Sequence, residues 1–446
     1  MTTPILDFLH AYRESGTARF HMPGHKGKGP LGCEGLDITE IRGADILYDP
    51  DGIIAESEEN ASRLFGTAHS FYSTEGSTLA IRAMLALAAS CAPASNKCPL
   101  ILAARNAHRA FITAAALLDL RVEWLWTEAD EHLCACTVTA EAVAAAIAKE
   151  KPAAVYLTSP DYLGNVADIA GIAAVCHERG VPLLVDNAHG AYLAFLDPSR
   201  HPIALGADAC ADSAHKTLPV LTGGAYLHIS KTAPQDFLPR ARAMLSLFAS
   251  TSPSYLILAS LDAANKMLDG DYATRLGATA ARVAAIRAEV EGKGFVTHGD
   301  EPLKLTLDAT PIGYTGGALA AHLRENGIEC EYADSRFCVL MATPDNTESD
   351  FARLSRALAA LPPRAPITLP TPPTFERGEA VLSVREAMLA KAERVSVQDA
   401  LGRIAATPTV SCPPAVPIVI SGERISEASL ALLAHYGITE MDVVCE

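Results

Sequence analysis

The chain lacks several things that would settle its class at once. It has eleven cysteines but no Cys-x-x-Cys pair, Cys134 and Cys136 being the nearest two. That spacing removes the usual structural zinc arrangements and the dithiol redox motif, and no metal site is expected. An odd, scattered set of thiols behind an N-terminus with no charged-then-apolar leader reads as reduced cysteine in a cytoplasmic protein. No stretch of about 18 uncharged apolar residues occurs, so no membrane span is expected. Basic residues are outnumbered 52 to 36, a formal net charge of -16, and a nucleic-acid partner is not expected without a basic face. No Gly-x-Ser-x-Gly elbow accompanies Ser213 and His215, which removes the hydrolase reading of that pair. "GKGPLG", residues 27–32, spells a dinucleotide fingerprint, but it follows no strand and contains Pro30. His21 and His25 have helical ligand spacing, but Pro23 and Gly24 between them break a helix.

What remains is a folded chain of 446 residues, 49% hydrophobic, long enough for two or three domains. Residues 1–55 read as an arm, with a short amphipathic helix running into the Gly-rich "HMPGHKGKGPLGCEG". From 56 to 290 the pattern alternates. "STLAIRAMLALAASCA" is an Ala-rich helix after a Gly-Ser-Thr turn. "AAVYLT" and "VPLLVD" are short β-type runs separated by the helical "IAGIAAVCHERG". Strand, helix, strand at this spacing predicts a mostly parallel sheet with covering helices, an α/β domain. "GGAYLHI" reads as a further strand and residues 253–293 as a long helical segment. "LKLTLDA", "FCVLMAT", "GGALAAHLREN" and "ESDFARLSRALAAL" predict a smaller α+β domain over 291–361. Residues 362–374 are a Pro-rich linker. Residues 375–446 form a C-terminal subdomain that starts with a helical run, "AVLSVREAMLAKAE".

Three segments can meet at the carboxyl edge of such a sheet, where ligands collect. "TEGST", Thr74 to Thr78, opens a helix, and small residues there let backbone N–H groups approach an anion. Asp186 in "LLVDNAHG" follows a buried strand, where an ionised side chain is costly without a partner. Lys216 in "SAHKT" follows thirty residues after Asp186. Each alone has an ordinary reading: a helix cap, a capping aspartate, a solvated lysine. Together they are what pyridoxal 5'-phosphate needs. The lysine forms an imine with the aldehyde, the carboxylate pairs with the protonated ring nitrogen, and the loop holds the phosphate.

"SAHKTLPVLTGGA", "STSPSYLILASLDAA", "HMPGHKGK", "DITEIRGADILYDPDGII" and "CPPAVPIVISGE" together resemble the bacterial ornithine/lysine/arginine decarboxylase family, from about residue 4 to 430. The resemblance implies an aspartate-aminotransferase-like (fold type I) large domain. It also implies a short form without the receiver-like N-terminal wing domain of longer members. By position it implies that Lys216 carries the cofactor, Asp186 faces the pyridine nitrogen, His108 stacks on one ring face and Ala188 lies under the other. Gly76, Ser77 and Thr78 would bind the phosphate with Ser213 and His215, and His189 would lie near the phenolic oxygen. It implies a homodimer or higher homo-oligomer acting on a small amino acid. The sequence departs from the family at Asn187, where Glu is frequent, at Arg109 and Ala110, where Lys-Ser is frequent, and at Cys412 and Ala415.

The expected activity is removal of the α-carboxylate of a basic amino acid (arginine, lysine or ornithine), giving a polyamine or its precursor. An aminotransferase or another lyase is the alternative, because the same cofactor serves all three. A catalytically silent cofactor-binding protein is the second alternative.

Overall fold

Seven strands order into one sheet: β1 (His69–Ser73), β2 (Leu100–Ala104), β3 (Arg121–Leu125), β4 (Ala154–Thr158), β5 (Leu183–Asp186), β6 (Ala209–Asp212) and β7 (Ala225–Ile229). Their order across the sheet is β1-β7-β6-β5-β4-β2-β3. The computed structural model describes residues 1–446 except 93–96, 127–133, 136–137, 371–372, 374–375, 411–415 and 446. The runs read as strands in the sequence are β4, β5 and β7. β4 and β5 pair in parallel, with Thr158 opposite Asp186, and β5 and β6 do so with Asp186 opposite Ala211. β7 is antiparallel to both β6 and β1. This direction change has a functional consequence. β1, β5 and β6 all end at the edge where β7 begins, so the segments that follow Ser73, Asp186 and Asp212 share one side with Gly223 and Gly224.

The chain divides into two compact units. The first comprises Met1–Leu102, Ala140–Ser159 and Asp168–Ala273, and the second the remainder. In the first unit the helix Gly76–Cys91 packs over β6 and β7. Its alanines permit close approach to the sheet, while Leu79, Met84, Leu85 and Leu87 are fully buried there. Each such side chain is worth about 1.5–3 kcal/mol in area removed from water. The arm begins with the expected helix, Pro4–Glu14. The helical segment expected over 253–293 is two helices, Tyr255–Leu268 and Tyr272–Glu291, because the first ends at Asp269 and Gly270.

In the second unit, β8 (Val296–His298), β9 (Lys304–Asp308), β10 (Tyr332–Ala333) and β11 (Phe337–Met341) form a wholly antiparallel sheet, order β10-β11-β9-β8. Its core includes Val283, Ile286, Leu307, Leu319 and Phe351, with residues from the helices Gly316–Glu325 and Glu348–Ala359. The expected α+β character holds. The helical run expected at 380–393 is instead a six-residue helix, Val384–Leu389, closed at its start by a Ser383/Glu386 capping box. Residues Ala392–Ser396 leave it as a strand paired antiparallel with Glu440–Val444.

Candidate active site

Asp186 is the last residue of β5, carried to the sheet edge by three apolar neighbours that are completely buried. One carboxylate oxygen accepts from the Tyr156 hydroxyl at 3.1 Å and the other from the Ala188 N–H at 3.2 Å. Burial raises its pKa to about 6, opposed by the charge of Lys216 and by the Tyr156 and Ala188 hydrogen bonds, with Asp212 adding a smaller upward push. Neither direct partner is a cation, so the carboxylate has acceptor capacity to spare and a reason to want positive charge.

Lys216 lies in a one-turn helix, Ala214–Thr217, that leaves the end of β6. This corrects the loop read from the sequence only in detail: the turn brings the side chain back over the sheet edge. Its Nζ is 3.0 Å from His189 Nε2. His189 reaches this point because Asn187, Ala188 and Gly190 fold into a tight turn, closed by a bond from the Gly190 N–H to the Asn187 carbonyl.

The third expected element stands at the same edge. Gly76 adopts φ +70°, and its N–H donates to the carbonyl of Gly223 at 2.7 Å. Gly223 itself has φ +99°, and a Cβ there would meet the Thr74 carbonyl at 3.0 Å, so two glycines make this close approach possible. Glu75 places no side-chain cap on the first turn of the sixteen-residue helix that follows. Ser77 and Thr78 are therefore presented at a helix N-terminus with unsatisfied donors, an anion-binding arrangement. Ser213 donates its hydroxyl to Ser77 Oγ at 2.8 Å. His215 binds the Gly224 carbonyl through Nδ1 at 2.9 Å, and burial lowers its pKa.

Gly76, Ser77, Thr78, Asp186, Ala188, His189, Ser213, His215 and Lys216 thus all belong to the first unit, on segments that meet at one sheet edge. His108 is in the second unit. There it caps the helix Arg109–Leu118, its Nδ1 accepting from the Ala110 N–H at 3.1 Å. Arg109 is exposed and Ala110 buried, so the departure at 109 faces solvent. Cys412 and Ala415 lie outside the described residues.

Sequence reasoning missed what lies beneath this edge. Asp212, the completely buried last residue of β6, collects four donors. His201 Nε2 (2.9 Å) and His228 Nε2 (3.2 Å) reach one oxygen, and Asn187 Nδ2 (2.8 Å) and Cys210 Sγ (3.2 Å) reach the other. His201 Nδ1 accepts from the Ile203 N–H, so Nε2 bears the proton it gives Asp212. The two imidazoles outweigh burial and hold Asp212 far below the usual carboxylate range. The signal was available: Asp212 ends a strand just as Asp186 does. The departure at Asn187 also gains a reason. An amide donates to Asp212, whereas the glutamate frequent in the family would oppose carboxylate to carboxylate. Asn187→Glu is expected to lower stability by roughly 3 kcal/mol, visible as a lower denaturant midpoint. An unchanged midpoint would remove this account of the asparagine.

The residues fit pyridoxal phosphate on grounds internal to the structure. The phosphate would face an uncapped helix N-terminus with hydroxyls beside it, and a protonated ring nitrogen would give buried Asp186 the cationic hydrogen-bond partner that Tyr156 and Ala188 do not supply. A lysine amine stands on the same edge, beside His189. An α/β sheet with these three features defines the fold type I class of pyridoxal-phosphate proteins.

Comparison with known proteins goes a step further. The pattern described as "Orn/Lys/Arg decarboxylase, major domain" matches residues 3–295, and the "Orn/Lys/Arg decarboxylase, C-terminal domain" matches residues 378–440. The chain belongs to the Orn/Lys/Arg decarboxylase family. It is 31% identical to an arginine decarboxylase of Halalkalibacterium halodurans, over 97% of this chain and 92% of that protein. It is 28% identical to an arginine decarboxylase of Bacillus subtilis, over 97% and 93%. Among solved structures it resembles the constitutive lysine decarboxylase of Escherichia coli, with TM-score 0.79 at 18% identity over 100% of this chain and 82% of that one. The lysine decarboxylase of Francisella novicida gives TM-score 0.81 at 16% identity, over 99% and 81%. These likenesses bear out the fold read from the sequence.

Proposed function

We infer that this protein decarboxylates a basic amino acid with pyridoxal 5'-phosphate as cofactor, and that arginine is its substrate. The observation that carries the reading is the buried, cation-seeking Asp186 on the same sheet edge as Lys216 and the uncapped Gly76–Thr78 helix start. Full-length likeness to two arginine decarboxylases supports the choice among arginine, lysine and ornithine. The product would be a polyamine precursor.

When bound, pyridoxal phosphate supplies an aldehyde that captures the amine and a ring that accepts the electron pair left by departing carbon dioxide. The chain's own residues do the rest. Asp186 keeps the ring nitrogen protonated. Ser77 and Thr78, with Ser213 and His215 behind them, would hold the phosphate, while Gly76, its N–H tied to the Gly223 carbonyl, would shape the turn rather than donate to the phosphate. Ala188 offers a small, buried surface under the ring. Lys216 holds the cofactor between turnovers. Lys216 Nζ and His189 Nε2 stand 3.0 Å apart, a pair that would share a proton and could return it to the substrate. His108 is assigned the opposite ring face on the resemblance alone.

A homodimer is part of the same proposal. Phe20, Leu31 and Met22 in the arm are 96%, 81% and 67% exposed, apolar surface that a second copy would cover. Among the described residues no helix is long and apolar enough to cross a membrane, and a cytoplasmic setting is proposed from the reduced-thiol pattern.

The test is carbon dioxide release from arginine, lysine and ornithine. Arginine is expected to exceed the others in kcat/KM by at least about tenfold, because a site built for a guanidinium leaves its polar groups unpaired with an ammonium. Equal rates would remove the choice of arginine. Keto acid or ammonia without carbon dioxide would favour an aminotransferase or other lyase, and no turnover on any of them would favour a silent cofactor-binding protein.

A further inference from the structure

The second unit holds its helix Arg109–Leu118 from both ends with residues of the C-terminal subdomain. At the start, the turn between β2 and the helix is only four residues long, Arg105 to His108, and is closed by a bond from the Ala107 N–H to the Ala104 carbonyl. Arg105, 5% exposed, reaches out of this turn as a fork. Nη1 donates to the carbonyl of Pro417 at 2.7 Å and Nη2 to that of Ile418 at 3.1 Å. Two parallel bonds to adjacent carbonyls fix the plane of the guanidinium, which a lysine cannot reproduce. The same guanidinium carbon lies 5.4 Å and 5.6 Å from the ring centroids of Trp124 and Trp126, the only tryptophans in the chain. Burial lowers the Arg105 pKa to about 10, and Glu423 of the subdomain opposes that shift.

At the far end, half-buried Arg385 donates Nη1 to the carbonyls of Ala116 and Leu117, at 3.0 and 3.1 Å. These are last-turn carbonyls with no helical partner, and a cation there also suits the helix dipole. Arg385 stands in the first turn of a short helix whose start is closed by the Ser383/Glu386 capping box. The helix between these grips carries His108 as its cap, and the imidazole is tied to the helix backbone through Nδ1. The ring cannot turn without breaking the cap, and the helix cannot shift against the subdomain without breaking hydrogen bonds of Arg105 or Arg385.

We propose that the C-terminal subdomain acts in catalysis by positioning the His108 imidazole, through Arg105 at one end of the helix and Arg385 at the other. Both arginines are positioning residues, neither of them reacting. The proposal rests on the reading that His108 faces the cofactor ring.

A double-mutant cycle on the full-length protein, stripped of cofactor and titrated with pyridoxal phosphate, tests it. Fluorescence of Trp124 and Trp126 reads the dissociation constant, and thermal unfolding of the unloaded protein reads stability separately. H108A is expected to weaken cofactor binding. R385M is expected to weaken it about fivefold when His108 is present and less than about twofold in the H108A background, because a residue acting through another loses its effect with that residue. R105K, which can hold only one carbonyl, is expected to weaken binding in the same His108-dependent way and to shift the tryptophan emission without cofactor. R105K keeps a cation in the buried Arg105 site, so the test does not depend on R385M alone should either variant fail to fold. Equal fold-changes of R385M in both backgrounds would mean a structural role only and would overturn the proposal. H108A that binds like the wild type would overturn it as well. A wild-type chain that does not bind pyridoxal phosphate at all would overturn both this proposal and the functional reading beneath it.

Discussion

Replacing Lys216 with alanine is expected to remove the yellow absorbance of the cofactor-loaded protein and to cut turnover by a factor on the order of 10³–10⁴. The two losses have one cause. On the proposed assignment the Lys216 amine would bind the cofactor aldehyde and, when free of it, would hold a proton beside His189. No substitute stands ready: His189 is the ring whose Nε2 lies within 3.0 Å of that amine, and an imidazole is the weaker nucleophile toward an aldehyde. The fold should survive. Lys216 is only partly buried, and the one-turn helix that carries it is fixed by backbone bonds from the Lys216 N–H to Ser213 and from the Leu218 N–H to Ala214. The unloaded variant should therefore unfold at a midpoint close to the wild type. The check is borohydride reduction of the loaded wild type followed by peptide mass analysis, which should find a pyridoxyl group on the peptide containing Lys216. An unaltered spectrum in the alanine variant, or the label on another lysine, would end the assignment.

The residues behind that prediction were legible because each obeys a local rule. A charged residue at the end of an apolar strand, a Gly-Ser-Thr turn before an Ala-rich helix and a lysine before a glycine pair are visible in one dimension. Strand ends then converge because β5 and β6 run parallel. Asp212 obeys the same strand-end rule, but its meaning depends on His201 and His228, which come to it from other elements. Tyr156 reads as one more apolar strand residue until its hydroxyl is found on Asp186. Arg105 likewise gains its role from carbonyls more than three hundred positions away. The C-terminal run 380–393 shows the limit from the other side. Its helical periodicity is real over six residues, but Ala392–Ser396 pairs with Glu440–Val444, and a pairing that distant leaves no trace in local periodicity. The break at Gly270 was locally signalled, since "DGD" interrupts the helical pattern there.

Replacing Asp186 with asparagine is expected to lower turnover by a factor on the order of 10²–10³ while making the unloaded protein more stable at neutral pH. The two directions follow from the same raised pKa. Without a ring cation, the folded chain keeps the Asp186 proton to a higher pH than the unfolded chain does. Its pKa of about 6, above the ordinary 3.8, means that the ionised form costs stability. That cost is absent below pH 3.8, grows as pH rises through the interval from 3.8 to 6, and is fully present above 6. It amounts to something on the order of 3 kcal/mol. Asparagine is the neutral isostere. Its carbonyl can take the Ala188 N–H and its amide can donate to the Tyr156 hydroxyl, so both hydrogen bonds persist with one polarity reversed. The unfolding midpoint of the unloaded variant should exceed that of the wild type at pH 8, and the gap should close as pH falls toward 4. Saturating pyridoxal phosphate should reverse the order. The bound cofactor would give the wild-type carboxylate a cationic hydrogen-bond partner, and ligand binding stabilises the folded state in proportion to affinity. The asparagine variant can only face the ring nitrogen with a neutral group, so it should gain less. A variant less stable than the wild type at pH 8 without cofactor would show that Asp186 is a structural carboxylate satisfied by Tyr156 and Ala188. The electrostatic basis of the active-site assignment would then be gone.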